Sequence, residues 1–192
     1  SFGFSGMNIA IDIDDTLTNS FDYFIPFVAE YFCVSTEFCI RNNISYCTLP
    51  AEWKEKELDF SKTYFERVVP NTPFKNDAAD IVRALHTLGH TIFIITGRNE
   101  SMYTDPYSTT RTELENGNIV YDKLLCTLDK ATACIEEKVD ILIDDSVANC
   151  TAAAQNGITA ILFTSKWNDK IAVPFRRVHS WKELYTALTE CI

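Results

Sequence analysis

From residue 76 to the end of the chain, short aliphatic runs rich in β-branched residues alternate with segments of helical period, and this alternation restricts the fold more than any other feature. Parallel strands must be joined by crossovers of a dozen or more residues, usually helices, and strands buried on both faces read as unbroken apolar runs. Thr91 to Thr96 (TIFIIT) is such a run, Lys123 to Thr127 a shorter one, Asp140 to Ile143 ends against Asp144 and Asp145, and Ile158 to Phe163 follows. Helices are expected from an Asn76 cap to Leu88, closed by a left-handed Gly89, and from Thr109 to Asn116, closed by Gly117. Others run from an Asp129 cap through Glu137 and from a Ser146 cap over Val147 to Gln155, ended by Gly157. Ser180 to Glu183 forms a capping box before an amphipathic last helix. Ile9 to Asp15 (IAIDIDD) supplies a first strand, so the expected fold is α/β: a Rossmann-like parallel sheet flanked by helices.

Residues 19–72 break this rhythm. Phe21 to Phe32 (FDYFIPFVAEYF) places Tyr23, Phe24, Phe27, Tyr31 and Phe32 at helical spacing, with Pro26 marking a start or a kink. Ser35 or Thr36 can cap a short helix through Asn42, and Pro50 to Glu57 and Ser61 to Val69 suggest two more. No strand is expected here, so 19–72 reads as a helical insertion after strand one, with 7–18 and 73–192 as the main body. Pro70 and Pro73 mark the return. Ser1 to Gly6, ahead of Met7, reads as a tag remnant outside the fold.

Charge narrows the function classes. With 17 Lys and Arg against 27 Asp and Glu, the formal charge of −10 opposes nucleic acid polymers and anionic membrane surfaces. It also opposes a small phosphate ester unless a local cation focuses the site. The seven cysteines contain no C-x-x-C pair, which argues against a disulfide framework and a zinc cluster and for free thiols in a reducing compartment. No apolar run reaches membrane-spanning length and no signal segment opens the chain, so a cytoplasmic protein is expected.

In open parallel sheets, ligands bind beyond the carboxyl ends of the strands where the winding reverses. Asp12 and Asp14 end strand one, where strand parity would put them side by side; Thr96 ends strand two, Lys130 follows strand three, and Asp144 and Asp145 end strand four. Four acids, a hydroxyl and a lysine at one sheet edge suit a hard cation with oxygen ligands, such as Mg²⁺, and an anionic substrate. A carboxylate ~3.5 Å from a phosphate dianion, at an effective dielectric of ~20, is repelled by roughly 10 kcal/mol, a penalty one Mg²⁺ and one lysine are of the right size to offset.

These residues resemble a known family. Asp12-Ile13-Asp14-Asp15-Thr16-Leu17-Thr18, then Ile94-Ile95-Thr96-Gly97-Arg98, then Lys130, then Ile143-Asp144-Asp145 are similar, in order and spacing, to the four motifs of haloacid dehalogenase-like (HAD) phosphatases. The match spans the chain from Met7 onward, and the helical insertion lies where that superfamily places a small cap. The resemblance implies that Asp12 is the nucleophile and a ligand of Mg²⁺, and that Asp14 moves protons while its backbone carbonyl ligates the metal. It implies that Thr96 and Lys130 act on the phosphoryl group, with Gly97 and Arg98 beside them at the substrate. Asp144 and Asp145 complete the metal shell, the division between them being open. A narrower resemblance is to 5'(3')-deoxyribonucleotidase-like proteins and their bacterial relatives, through the short insertion, the Thr112 to Leu124 segment and the Asp-Asp pair. Motif one departs from that branch with Asp15-Thr16 in place of the usual Gly-Val, and motif four continues into Ser146 where an Arg is usual.

The resemblance implies a Mg²⁺-dependent phosphomonoesterase working through an aspartyl-phosphate, with a nucleoside monophosphate as favoured substrate and another small phosphometabolite, such as a sugar phosphate, as the alternative. A receiver-like signalling domain gathers similar residues but takes its phosphorylated Asp from a later strand. Lys123 and Lys138 rival Lys130; Lys130 leads because it opens a helix after strand three. The aromatic stripe of the insertion suits its own apolar core better than a substrate base. Trp53, Phe60 and Arg98 are open between packing and substrate, loop 99–108 is a candidate contributor to the pocket, Asn149 is a candidate support for Asp144, and the three histidines receive no role.

Overall fold

A computed structural model describes residues 6–190. The tag remnant expected over Ser1 to Gly6 therefore lies, except for Gly6, outside the described residues, as does Cys191. In chain order the elements are β1 (Asn8–Ile11), α1 (Ser20–Phe32), α2 (Thr36–Arg41), a 3₁₀ stretch (Ala51–Lys56) running into α3 (Glu57–Val68), and α4 (Ala78–Thr87). There follow β2 (Thr91–Thr96), α5 (Pro106–Asn116), β3 (Lys123–Cys126), α6 (Lys130–Glu136), β4 (Ile141–Asp144), α7 (Val147–Gln155), β5 (Thr159–Phe163), β6 (Arg176–Val178) and α8 (Trp181–Glu190).

All six strands are parallel, in the order β3-β2-β1-β4-β5-β6. The chain winds outward from β1 through β2 to β3, then crosses to β4 on the other side of β1 and winds outward again. The reversal lies between β1 and β4, where Ile11 is in register with Ile143 and the Asp12 amide donates to the Ile143 carbonyl at 3.0 Å. Alternate residues sort onto the two faces. Ile9, Ile11, Ile92, Ile94, Ile141 and Ile143 pack with Val82 and Leu85 of α4 and with Trp181, Leu184 and Leu188 of α8. Ala10, Phe93, Ile95, Leu142 and Leu162 pack with Ala133 and Cys134 of α6 and Cys150 and Ala153 of α7. The six described cysteines are free, and three of them are buried as small apolar side chains. Among the described residues no helix is long and apolar enough to cross a membrane.

Residues 19–72 contribute no strand. They hold most of a second apolar cluster, of Phe21, Phe24, Val28, Phe60, Tyr64 and neighbours, which also takes in Tyr103 and Met102 of loop 99–108; in it Trp53 stacks on Phe32 at 4.3 Å and Phe60 is buried. The aromatic stripe is thus mainly its own core. The ways in and out run side by side: Thr18 bridges Phe74 antiparallel, the Asn19 amide donates to the Pro73 carbonyl and the Lys75 amide to that of Leu17.

Several boundaries differ from the sequence expectation. The helix expected from Asn76 begins at Ala78, because Lys75 to Ala78 closes a turn in which Asp77 takes φ 67°, a left-handed conformation that Asp tolerates. The helix expected from Thr109 begins at Pro106, where Asp105 accepts from the Ser108 amide and Pro occupies the first turn, which needs no donor from it. β6 was not expected: Arg-Arg-Val is too short and too polar to stand out from sequence. Gly89 takes the expected positive φ, 100°, after α4.

Candidate active site

Asp12 emerges just past β1, beside the last residue of β4, Asp144. Lys130, at the first position of α6, reaches between them: its Nζ donates to Asp12 Oδ1 at 2.6 Å and to Asp144 Oδ2 at 2.9 Å, and all three side chains are buried. Of the rival lysines, Lys123 pairs with Glu137 at the surface, and Lys138 is the residue of positive φ after α6. Thr16 Oγ1 donates to Asp12 Oδ2 at 3.0 Å, so both oxygens of Asp12 are held. Asn149 Nδ2 donates to Asp144 Oδ2 at 3.1 Å, the support suggested by its place one turn into α7.

Asp12, Asp144 and Asp145 each offer a carboxylate oxygen within 4.8 Å of the others. With all three carboxyls ionised, three carboxylates and one ammonium would leave two negative charges in a buried space, a load that raises the pKa values of the acids. Burial, then repulsion from Asp144, raises the Asp12 pKa from 3.8 to about 6, against the pull of Lys130. Burial and the charges of Asp12 and Asp144 push Asp145 well above the usual carboxylate range. Burial by itself would drive the Lys130 ammonium to lose its proton, but the two carboxylates hold its pKa above the ordinary value. An all-oxygen donor set carrying two excess negative charges fits a hard divalent cation such as Mg²⁺. Asp145 is fixed by the loop after β5, where Trp167 Nε1 donates to its Oδ2 and Asn168 Nδ2 to its backbone carbonyl, both at 2.8 Å.

The expected side-by-side placement of Asp12 and Asp14 on a strand face requires correction. β1 stops at Ile11, and the amides of Thr16, Leu17 and Thr18 converge on the Ile13 carbonyl in a tight turn, with Asp15 at φ 63°. Strand parity therefore does not reach Asp14. Its carboxylate lies outside the three-acid cluster, and its Oδ1 accepts from Arg98 Nη2 at 3.1 Å and from Ser20 Oγ at 2.8 Å. Asp15 faces the helical segment, accepting from the Phe21 amide at 2.7 Å and from the Tyr46 hydroxyl at 2.6 Å.

Thr96 closes β2 and is buried; with Gly97, Arg98, Asp12 and Asp14 it forms one wall of a cavity of about 250 Å³. The opposite wall comes from the helical segment, through Tyr46, Glu57, Ser61 and Phe65, and from Met102 and Tyr103 of loop 99–108. Arg98 lines this cavity but is itself buried, donating to Thr110 Oγ1 at 3.1 Å and pairing with Asp14 and with Glu113 Oε1 at 2.9 Å.

Sequence reasoning missed Thr16, Ser20, Tyr46, Trp167 and Glu113. Glu113 carried a signal: it shares a helix face with Thr110 and Leu114, an acid on the apolar side. Trp167 carried none, because it lies in an irregular loop remote in sequence from the strand tips.

The sequence matches no family model and no curated protein. Solved structures match across nearly the whole chain. A Clostridium acetobutylicum protein described as a predicted phosphatase superposes with TM-score 0.68 at 18% identity, covering 97% of this chain and 100% of that one. A HAD family hydrolase from Deinococcus radiodurans, crystallised with phosphate and sodium, gives 0.68 at 13% identity over 96% of each chain. A Haemophilus somnus protein described as a predicted phosphoglycolate phosphatase gives 0.67 at 13% identity, covering 97% of this chain and 100% of that one. The structural neighbours are HAD-superfamily phosphatases and hydrolases, and the likeness establishes a shared α/β fold.

Proposed function

We propose that this protein is a phosphomonoester hydrolase of the HAD type, acting on a small phosphorylated metabolite through an aspartyl-phosphate on Asp12. The observation that carries the reading is the buried Asp12–Lys130–Asp144 arrangement, with Asp145 alongside, at the winding reversal of the sheet. The phosphate bound in the Deinococcus neighbour fits the same reading.

Mg²⁺, held by Asp12, Asp144, Asp145 and the backbone carbonyl of Asp14, would supply positive charge that cancels the repulsion between nucleophile and phosphate. Lys130 and Thr16 fix the Asp12 carboxylate, and Lys130 takes up charge on the phosphoryl group. A carboxylate oxygen of Asp12 bonds to phosphorus as the ester P–O bond breaks, and Asp14 gives its proton to the departing alkoxide. Asp14 then takes a proton from a water whose oxygen bonds to phosphorus, the Asp12–phosphorus bond breaks, and inorganic phosphate leaves. Thr96 and Gly97 donate to phosphoryl oxygens, and Arg98 flanks the substrate while anchoring Asp14. Residues 19–72, tied in by paired entry and exit segments, act as the cap that excludes water and reads the leaving group. The free cysteines favour a reducing compartment, so the proposed location is the cytoplasm.

For the substrate, the rings of Tyr46, Phe65 and Tyr103 around the cavity favour a nucleoside monophosphate, whose base offers a stacking face. A smaller ester, such as a sugar phosphate, is the second reading, favoured by a cavity of about 250 Å³ where ligand pockets commonly span ~300–1,000 Å³. A panel of phosphomonoesters assayed for phosphate release with Mg²⁺ and with EDTA tests both levels. Release with Mg²⁺ alone, and none from Asp12→Asn, is expected. Nucleotides ranking no better than sugar phosphates would remove the first substrate reading, and no release from any ester would remove the enzyme.

A further inference from the structure

Glu113 has no part in the chemistry above, yet its carboxylate is fully buried on the inward side of α5. It faces Arg98, whose Nη2 lies 2.9 Å from Glu113 Oε1 and 3.1 Å from Asp14 Oδ1. The rest of the guanidinium is sparsely held: Nη1 donates to Thr110 Oγ1, Nε makes no hydrogen bond, and the Glu113 oxygens make none either, so Glu113 holds Arg98 by ion pairing. Asp14 is in turn anchored by one oxygen only. Arg98 and Ser20 both bond Oδ1, and among the described residues Oδ2 accepts no hydrogen bond.

A buried ionic cluster adds little stability over apolar residues of the same volume, so what it supplies is geometry. We infer that Glu113 is a positioning residue for proton transfer by Asp14, acting through Arg98, an inference that rests on the phosphatase reading above. Glu113, by its ion pair to Nη2, and Thr110, by its hydrogen bond to Nη1, lie three residues apart on α5 and together seat the guanidinium. The seated guanidinium pins Oδ1 of Asp14 and leaves Oδ2 for the leaving-group oxygen. Without Glu113 the guanidinium retains one neutral partner besides Asp14, and the two side chains can swing together off the cavity wall.

A role in proton transfer predicts a loss that depends on the leaving group. The ratio kcat/KM covers steps through release of the alcohol, so it isolates protonation of the leaving oxygen from later hydrolysis of the intermediate. In Glu113→Gln, kcat/KM for an alkyl ester such as a nucleoside 5'-monophosphate should fall ~10-fold or more, while that for p-nitrophenyl phosphate, whose phenolate leaves without a proton, should stay within about 2-fold. Thr110→Val, which removes the other seat of the guanidinium and keeps the side-chain shape, should show the same ester-selective loss at smaller size. Equal fractional losses on both esters, or no loss on either, would overturn the inference. A wild-type protein that hydrolyses neither ester would instead overturn the phosphatase reading.

Discussion

Replacing Asp12, the proposed nucleophile, should stabilise the metal-free protein. Asp12 has its pKa raised from 3.8 to about 6, chiefly by burial and then by Asp144, even with Lys130 at 2.6 Å. At pH values below both figures the folded and unfolded chains both carry the proton. Between them only the folded chain does, so stability falls as pH rises, and above about 6 the loss is complete. A shift of about two units at ~1.36 kcal/mol each is a penalty of roughly 3 kcal/mol at pH 7. Asp12→Asn removes that penalty and keeps the volume, and the amide oxygen can still accept from Lys130 while the amide nitrogen faces the Thr16 hydroxyl. For a chain of this size the gain corresponds to about 6–12 °C in Tm. Thermal unfolding in EDTA should show Asp12→Asn above wild type at pH 7 and the gap closing towards pH 4. With Mg²⁺ the gap should shrink or reverse, since a ligand at 100 times its Kd stabilises the protein that binds it by ~2.7 kcal/mol. A variant no more stable than wild type at pH 7 in EDTA would refute the assignment of Asp12 as a buried carboxylate held at net cost.

The opposite change at the same centre should be damaging. Lys130→Met leaves Asp12 and Asp144 buried without their shared ammonium, and should lower the unfolding free energy in EDTA by about 3–5 kcal/mol, read from urea midpoints; an unchanged midpoint would contradict it. Trp181→Phe keeps an aromatic ring near Phe163 but removes the Nε1 donor to the buried Thr16 carbonyl at 3.0 Å. It should cost about 1–3 kcal/mol in the same assay, and a neutral result would mean that this tie between α8 and the Asp12 turn is not needed.

Much of this molecule is legible in the residues. Parallel strands must be buried and widely spaced, so TIFIIT, KLLC and ILID between helical stretches already specify a covered sheet, and the ends of TIFIIT and ILID name Thr96 and Asp144, the side chains delivered to the sheet edge. Capping chemistry is equally local: Ser35, Asp129 and Ser146 each accept from the amide three residues on, because an N-cap hydroxyl or carboxylate needs only its own first turn.

What the residues could not show is how long-range geometry divides a run of acids. Asp12, Asp14 and Asp15 are neighbours in sequence, yet the turn after Ile11 sends the first to Lys130, the second to Arg98 and the third to Tyr46. Partners 118, 84 and 31 residues away give the three carboxylates different surroundings, and the roles proposed for Asp12 and Asp14 rest on that division. The seat that Glu113 provides for Arg98, and the grip of Trp167 on Asp145, arise in the same way. Strand and helix patterns are set by local burial and backbone chemistry, whereas the surroundings of a buried charge are set by whichever opposite charge or donor the completed fold brings into hydrogen-bonding reach of it.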